Sequence, residues 1–139
     1  LAFIFIGKEG VNKDALKFKS EYEELNGTVA FGDIKYNDLK IPENNPMKYS
    51  NYEELIDIIK NKSGVIYLGF PGCPWCRSAL PVLLDVAKAN DINTIYYLNI
   101  KDDRDSFVVE DGELTYQLDD EGNEKKGVDG YFKLMDVQL

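Results

Sequence analysis

Between Val65 and Ile100 two apolar runs, "VIYLGF" and "TIYYLNI", enclose a helical pattern that opens on Cys-Pro-Trp-Cys. Strand, helix, strand over about thirty-five residues predicts a βαβ unit with a right-handed crossover, and so an α/β fold. The first run is almost continuously apolar, as expected of a central strand covered on both faces. At 139 residues the chain has room for one core, and residues 1–139 read as a single domain.

The flanking segments read more weakly. Asn12 can cap a helix with Ala15, Phe18, Tyr22 and Leu25 on its apolar stripe and Gly27 as its stop. Thr28–Tyr36, broken by Gly32, predicts a strand or hairpin, and "IPENNPMKY" a loop. Ser50 followed by Glu53 predicts a capping box for a helix that buries Leu55, Ile58 and Ile59. Residues 101–127 read as an inserted hairpin region, with Asp111-Gly112 at the turn between Phe107 and Leu118. A short helix carrying Tyr131, Phe132, Leu134 and Met135 closes the chain. The apolar start Leu1–Ile6 is too short to span a bilayer. Residues 1–11 are compatible with an anchor remnant, an added strand or a remnant of cloning.

Composition excludes several functions. A net charge of −9 argues against a nucleic-acid partner, which needs clustered Lys and Arg, and against anionic lipid. The acidity is read as a solubility device rather than a binding face. With no histidine, Ser/His/Asp and Cys/His catalysis are absent from this chain. Two cysteines without imidazole fall short of a zinc or iron–sulfur ligand set, so no metal and no cofactor is expected; Cu(I) on two thiolates is the best metal alternative.

The spacing of Cys73 and Cys76 points to redox chemistry. Residues three apart share a helix face, so the pair can form and release a disulfide with little backbone movement. The loop so closed is small and makes a poor structural staple. Pro74 suits the first helical turn, which places Cys73 beneath unpaired N–H groups at the positive end of the helix dipole. That setting favours the thiolate, the attacking species. Arg77 is expected to add positive charge one turn on. Cys76, inside the helix, is expected to be the more buried, and to resolve a mixed disulfide. Trp75 is expected to be partly exposed beside the sulfur.

The segment "VIYLGFPGCPWCRSALPVL" resembles the active-site segment of thioredoxin-like proteins: a strand, Cys-x-x-Cys, a basic residue after it, and a helix-kinking proline, Pro81. The wider stretch from Asp14 to Met135 is similar to small thioredoxin-like proteins of Gram-positive bacteria often labelled bacteriocin transport accessory proteins. The resemblance implies Cys73 as nucleophile, Cys76 as resolving thiol, and Pro74 and Trp75 as the middle pair that tunes potential. Two features depart from it. Tyr67 stands where thioredoxin keeps a buried carboxylate, and all five prolines precede Val82, so the cis-proline loop and the C-terminal ββα part are missing. A fragment, a strand supplied by Leu1–Ile6, or a reduced variant each accounts for the short sheet.

These readings imply a thiol–disulfide oxidoreductase acting on protein or small-molecule disulfides. The alternative is a non-catalytic thioredoxin-like module that docks a partner or binds Cu(I). The resemblance implies a bacterial, extracytoplasmic protein, secreted or anchored through a lost N-terminal segment; a cytoplasmic setting stays open. An unpaired strand edge would permit oligomers by strand exchange.

Overall fold

The structure, a computed structural model, describes residues 12–138. The described chain is mixed α/β with parallel and antiparallel pairing. In chain order its elements are α1 (Lys13–Glu23), β1 (Val29–Phe31), β2 (Ile34–Lys35), β3 (Met47–Tyr49), α2 (Tyr52–Asn61), β4 (Val65–Gly69), α3 (Pro74–Ala89), β5 (Ile95–Asn99), β6 (Phe107–Glu110), β7 (Glu113–Tyr116) and α4 (Asp129–Met135). The strands form a three-stranded sheet of order β3-β5-β4 and two hairpins, β1-β2 and β6-β7. The readings placed on Leu1–Ile6 and on residues 1–11 lie outside the described residues. No described helix is long and apolar enough to cross a membrane.

Two compact units form. One comprises the described residues to Tyr49 together with Phe70–Ile95. Here α1 starts where Asn12 accepts a hydrogen bond from the Asp14 N–H, buries Ala15, Phe18 and Tyr22, and gives way to Gly27 at φ +70°. Phe18 and Tyr22 stack one turn apart, with ring centroids 4.4 Å from each other. The segment read as a loop contains β3, a strand of three residues between Pro46 and Ser50. Its alternation is too short to register as a pattern, and tertiary bonds create it. The Ile95 N–H donates to Pro46 O at 2.8 Å, and the Tyr49 N–H to Asp14 Oδ2 at 3.0 Å. Asn45 is buried and fully bonded, donating to Ala15 O and Pro42 O and accepting from the Met47 N–H.

The second unit comprises Ser50–Gly69 and the described residues from Tyr96 onward. Leu55, Ile58 and Leu134 form its buried centre, covered by Tyr52, Ile66, Leu68 and Tyr96 among others. The capping box is displaced by one residue from its expected position. Asn51, not Ser50, is the N-cap and accepts from the Glu54 N–H at 2.9 Å, while Ser50 Oγ donates to Glu54 Oε2 at 2.6 Å. Asn and Ser are nearly equivalent caps, so adjacent candidates are decided by where the chain arrives. The apolar run of β4 is also corrected. Its neighbour in the sheet is β5 alone, and Val65–Leu68 are half-buried rather than covered on both faces. At the β6-β7 hairpin the turn residues Asp111 and Gly112 both have positive φ, 51° and 83°, as a tight two-residue turn requires.

Two outcomes test this packing. Asn45→Ala strands two carbonyls and an N–H in the first unit, so urea denaturation should show a loss of about 2 kcal/mol. Glu23 accepts from Lys19 Nζ and from the Ile41 N–H, both at 2.6 Å. Burial alone would raise its pKa, but those bonds and the charges of Lys19 and Lys40 outweigh it, and the carboxyl lies below its ordinary 4.5. A lowered folded-state pKa stabilises above the ordinary value, and the contribution disappears as pH falls through the lowered one. The stability gap between the native chain and Glu23→Gln should therefore be full at neutral pH and close in acid below the ordinary value, as read by urea titrations along a pH series.

Candidate functional site

The site is built at the start of α3. Cys73 is the N-cap, in extended conformation at φ −88° and ψ 112°, and Pro74 occupies the first helical turn. The Cys73 sulfur accepts a hydrogen bond from the Cys76 N–H at 3.2 Å, the place a serine or aspartate oxygen takes at most helix starts. The backbone around it is fully engaged. The Cys73 N–H donates to Phe70 O at 3.1 Å, and the Arg77 N–H to Cys73 O at 3.0 Å. No acidic residue lies in the first turn, so the helix dipole acts on the sulfur without a competing carboxylate from that turn. Both cysteines are thiols and both are partly exposed. Trp75 is 85% exposed, beyond the partial exposure expected of it.

Arg77 does not play the role expected from sequence. It is fully buried, and its guanidinium turns into the first unit. Nη1 donates to Tyr22 O at 2.6 Å and to Pro71 O at 3.3 Å; Nη2 donates to Asn26 Oδ1 at 2.7 Å and Asn37 O at 2.8 Å. All four acceptors are neutral. Burial lowers the Arg77 pKa, offset in part by Tyr36, Tyr22 and Asp38, and an arginine keeps its charge under such conditions. The reason is steric as well as polar. Leu80, Leu84 and Ala87 mark the buried stripe of α3, and Arg77 lies one turn before Leu80 on that stripe. A long side chain there must go inward, and the carbonyls make it tolerable.

Two residues that sequence reasoning did not single out complete the site. Asn26 takes the Leu39 N–H on the same oxygen that Arg77 uses, and returns a bond to Leu39 O. Tyr36 donates its hydroxyl to Gly72 O at 3.1 Å, and its ring lies 5.3 Å from the Arg77 guanidinium carbon. A side chain at position 72 would place its Cβ 3.3 Å from the Tyr36 hydroxyl, so the tyrosine would have to give by a few tenths of an ångström. No local pattern points to Tyr36 or Asn26, because their partners lie 36 and 51 residues away.

The remaining expected residues stand apart from the sulfur. Pro81 is exposed in the middle of α3, where it leaves Arg77 O without its helical donor. It lines a cavity of about 660 Å³ with Pro42, Leu84, Lys88 and Ile92, and neither cysteine borders it. Tyr67 belongs to β4 in the second unit, where its ring stacks on Tyr97 at 5.7 Å. Among the described residues no three Cys, Asp or Glu side chains converge as metal ligands. No protein-family model, curated protein or solved structure matches this chain.

Arg77→Met removes four donated hydrogen bonds and leaves a buried carbonyl, two part-buried carbonyls and an amide oxygen short of a partner. It should destabilise the chain by roughly 3 kcal/mol in urea titrations, with Arg77→Lys recovering only part of the loss because an ammonium cannot reproduce the planar fork.

Proposed function

We propose that this chain is a thiol–disulfide oxidoreductase with a thioredoxin-like core, working through Cys73 and Cys76 on protein or small-molecule disulfides. The observation that carries the reading is the Cys76 N–H aimed at the Cys73 sulfur from the first turn of α3. That donor and the helix N-terminus face the atom that would attack a substrate disulfide. Partial exposure lets a substrate sulfur approach it.

The exchange balances within the pair. The Cys73 thiolate attacks one sulfur of a substrate disulfide; the Cys73–substrate S–S bond forms, the substrate S–S bond breaks, and the second substrate sulfur leaves as thiolate and takes a proton. Cys76 then loses its proton and attacks the Cys73 sulfur. The Cys73–Cys76 disulfide forms and the first substrate thiol is released. Two electrons pass from the pair to the substrate, and the reverse sequence oxidises a substrate dithiol. Without a side-chain cation from Arg77, the activating field comes from backbone groups, while Arg77 and Tyr36 hold the turn that carries the sulfur. A bacterial, extracytoplasmic setting belongs to the same proposal and rests on the resemblance of the stretch from Asp14 to Met135 and on the apolar start Leu1–Ile6, with a cytoplasmic setting still open.

The test is catalysed reduction of insulin by dithiothreitol. The native chain should accelerate it, Cys73→Ser should fall to the uncatalysed rate, and Cys76→Ser should accumulate a mixed disulfide through Cys73 visible by mass spectrometry. Full activity in Cys73→Ser would overturn the proposal.

A further inference from the structure

The β6-β7 hairpin presents its apolar side chains to water. Its register pairs Phe107 with Tyr116 and Val109 with Leu114, so these four share one face. Val109 is 71% exposed, Leu114 68% and Phe107 46%, and Leu118, two residues beyond Tyr116, is 56% exposed. On the opposite face Val108 pairs with Thr115, and these two are half-buried, with the Thr115 hydroxyl out of solvent; on the apolar face Tyr116 is half-buried too, and the other three side chains are exposed. A ribbon with one covered face ordinarily covers its apolar side, and a one-residue change of register would have done so here. The Asp111-Gly112 turn holds the other register. A contiguous exposed apolar face held in this way marks an interaction surface.

The surrounding charge says what kind of partner fits. Residues 101–127 hold ten carboxylates against four cations, so this segment carries a net −6 of the chain's −9. Glu110 and Glu113 pair across the strands at the tip, next to Val109 and Leu114 in sequence but on the Val108 and Thr115 face. Lys126, which lies 5.1 Å from the Tyr116 ring centre, is already paired with Glu124 at 2.6 Å. The acidity that composition presents as a general solubility device is thus concentrated in the segment that carries the hairpin.

We propose that the outer face of the β6-β7 hairpin docks a protein segment whose apolar side chains are set among lysines or arginines. The apolar strip supplies the contact and the acidic rim supplies selection and steering. A second copy of this chain is disfavoured, because it would bring a net −6 segment against another. The surface is independent of the cysteine chemistry.

The experiment uses the full chain and two synthetic peptides, one alternating lysine with valine and leucine and the other carrying glutamate for each lysine. The lysine peptide should bind and shift the backbone amide resonances of residues 107–118, while the glutamate peptide should not bind. The double variant Val109→Thr, Leu114→Thr keeps strand preference and net charge, and should weaken binding about tenfold with amide resonances elsewhere unchanged. Glu110→Gln with Glu113→Gln should weaken it and flatten its salt dependence. Equal binding of the two peptides would overturn the proposal, as would undiminished binding to the threonine variant, which would reduce the effect to bulk charge. Sedimentation showing a dimer that the threonine variant abolishes would assign the face to a second copy and would also overturn it.

Discussion

The cysteine turn is held in place by a buried guanidinium. Arg77 reaches from the first turns of α3 to a carbonyl of α1, an amide of the segment that follows, the backbone at Asn37 and the carbonyl of Pro71, two residues before Cys73. A cation taken out of water is costly, and here four neutral oxygens rather than a carboxylate offset that cost. Neutral carbonyls belong to the backbone, so the arrangement exists only when α1, the loop through Asn37 and the Pro71 turn are all in place. The charge thereby couples these segments to the geometry of one sulfur.

That coupling changes the account of how the sulfur is prepared. A basic residue after Cys-x-x-Cys suggests direct electrostatic help, yet this one is spent on structure. Around Cys73 the polarisation comes from peptide groups: the Cys76 N–H and the helix dipole. Peptide dipoles are fixed by the helix and need no ordering of a long side chain. Tyr36 adds a second fastening at Gly72, from a residue that follows a hairpin of only five strand residues.

Two places in the described chain leave apolar side chains in water. Trp75 stands in water two residues from the sulfur, and the β6-β7 strip stands in water within an acidic surround. In both places a tight local device, the helix cap in one and the two-residue turn in the other, holds an apolar group where burial alone would not put it. Burial is satisfied elsewhere, by Phe18, Tyr22, Met47 and Leu80 in one unit and by Leu55, Ile58 and Leu134 in the other.

Local chemistry was readable from sequence where partners lie within a turn or two. The Asn12 cap, the helix opening at Pro74, the Cys73 N-cap position and the Asp111-Gly112 turn all depend on neighbours within a few residues, and each stands where its pattern put it. The choice of Asn51 over Ser50, the short strand β3 and the place of β4 beside β5 alone were not readable, because each is set by where distant backbone arrives. Arg77 shows the difference most sharply. Its position after Cys76 is a fact of sequence, but whether its charge faces the sulfur or the interior depends on acceptors six to fifty-five residues away, which only the folded chain brings together. Sequence determined that a cysteine sulfur opens α3; tertiary structure decided which groups surround it, because long-range carbonyls leave no trace in a local pattern.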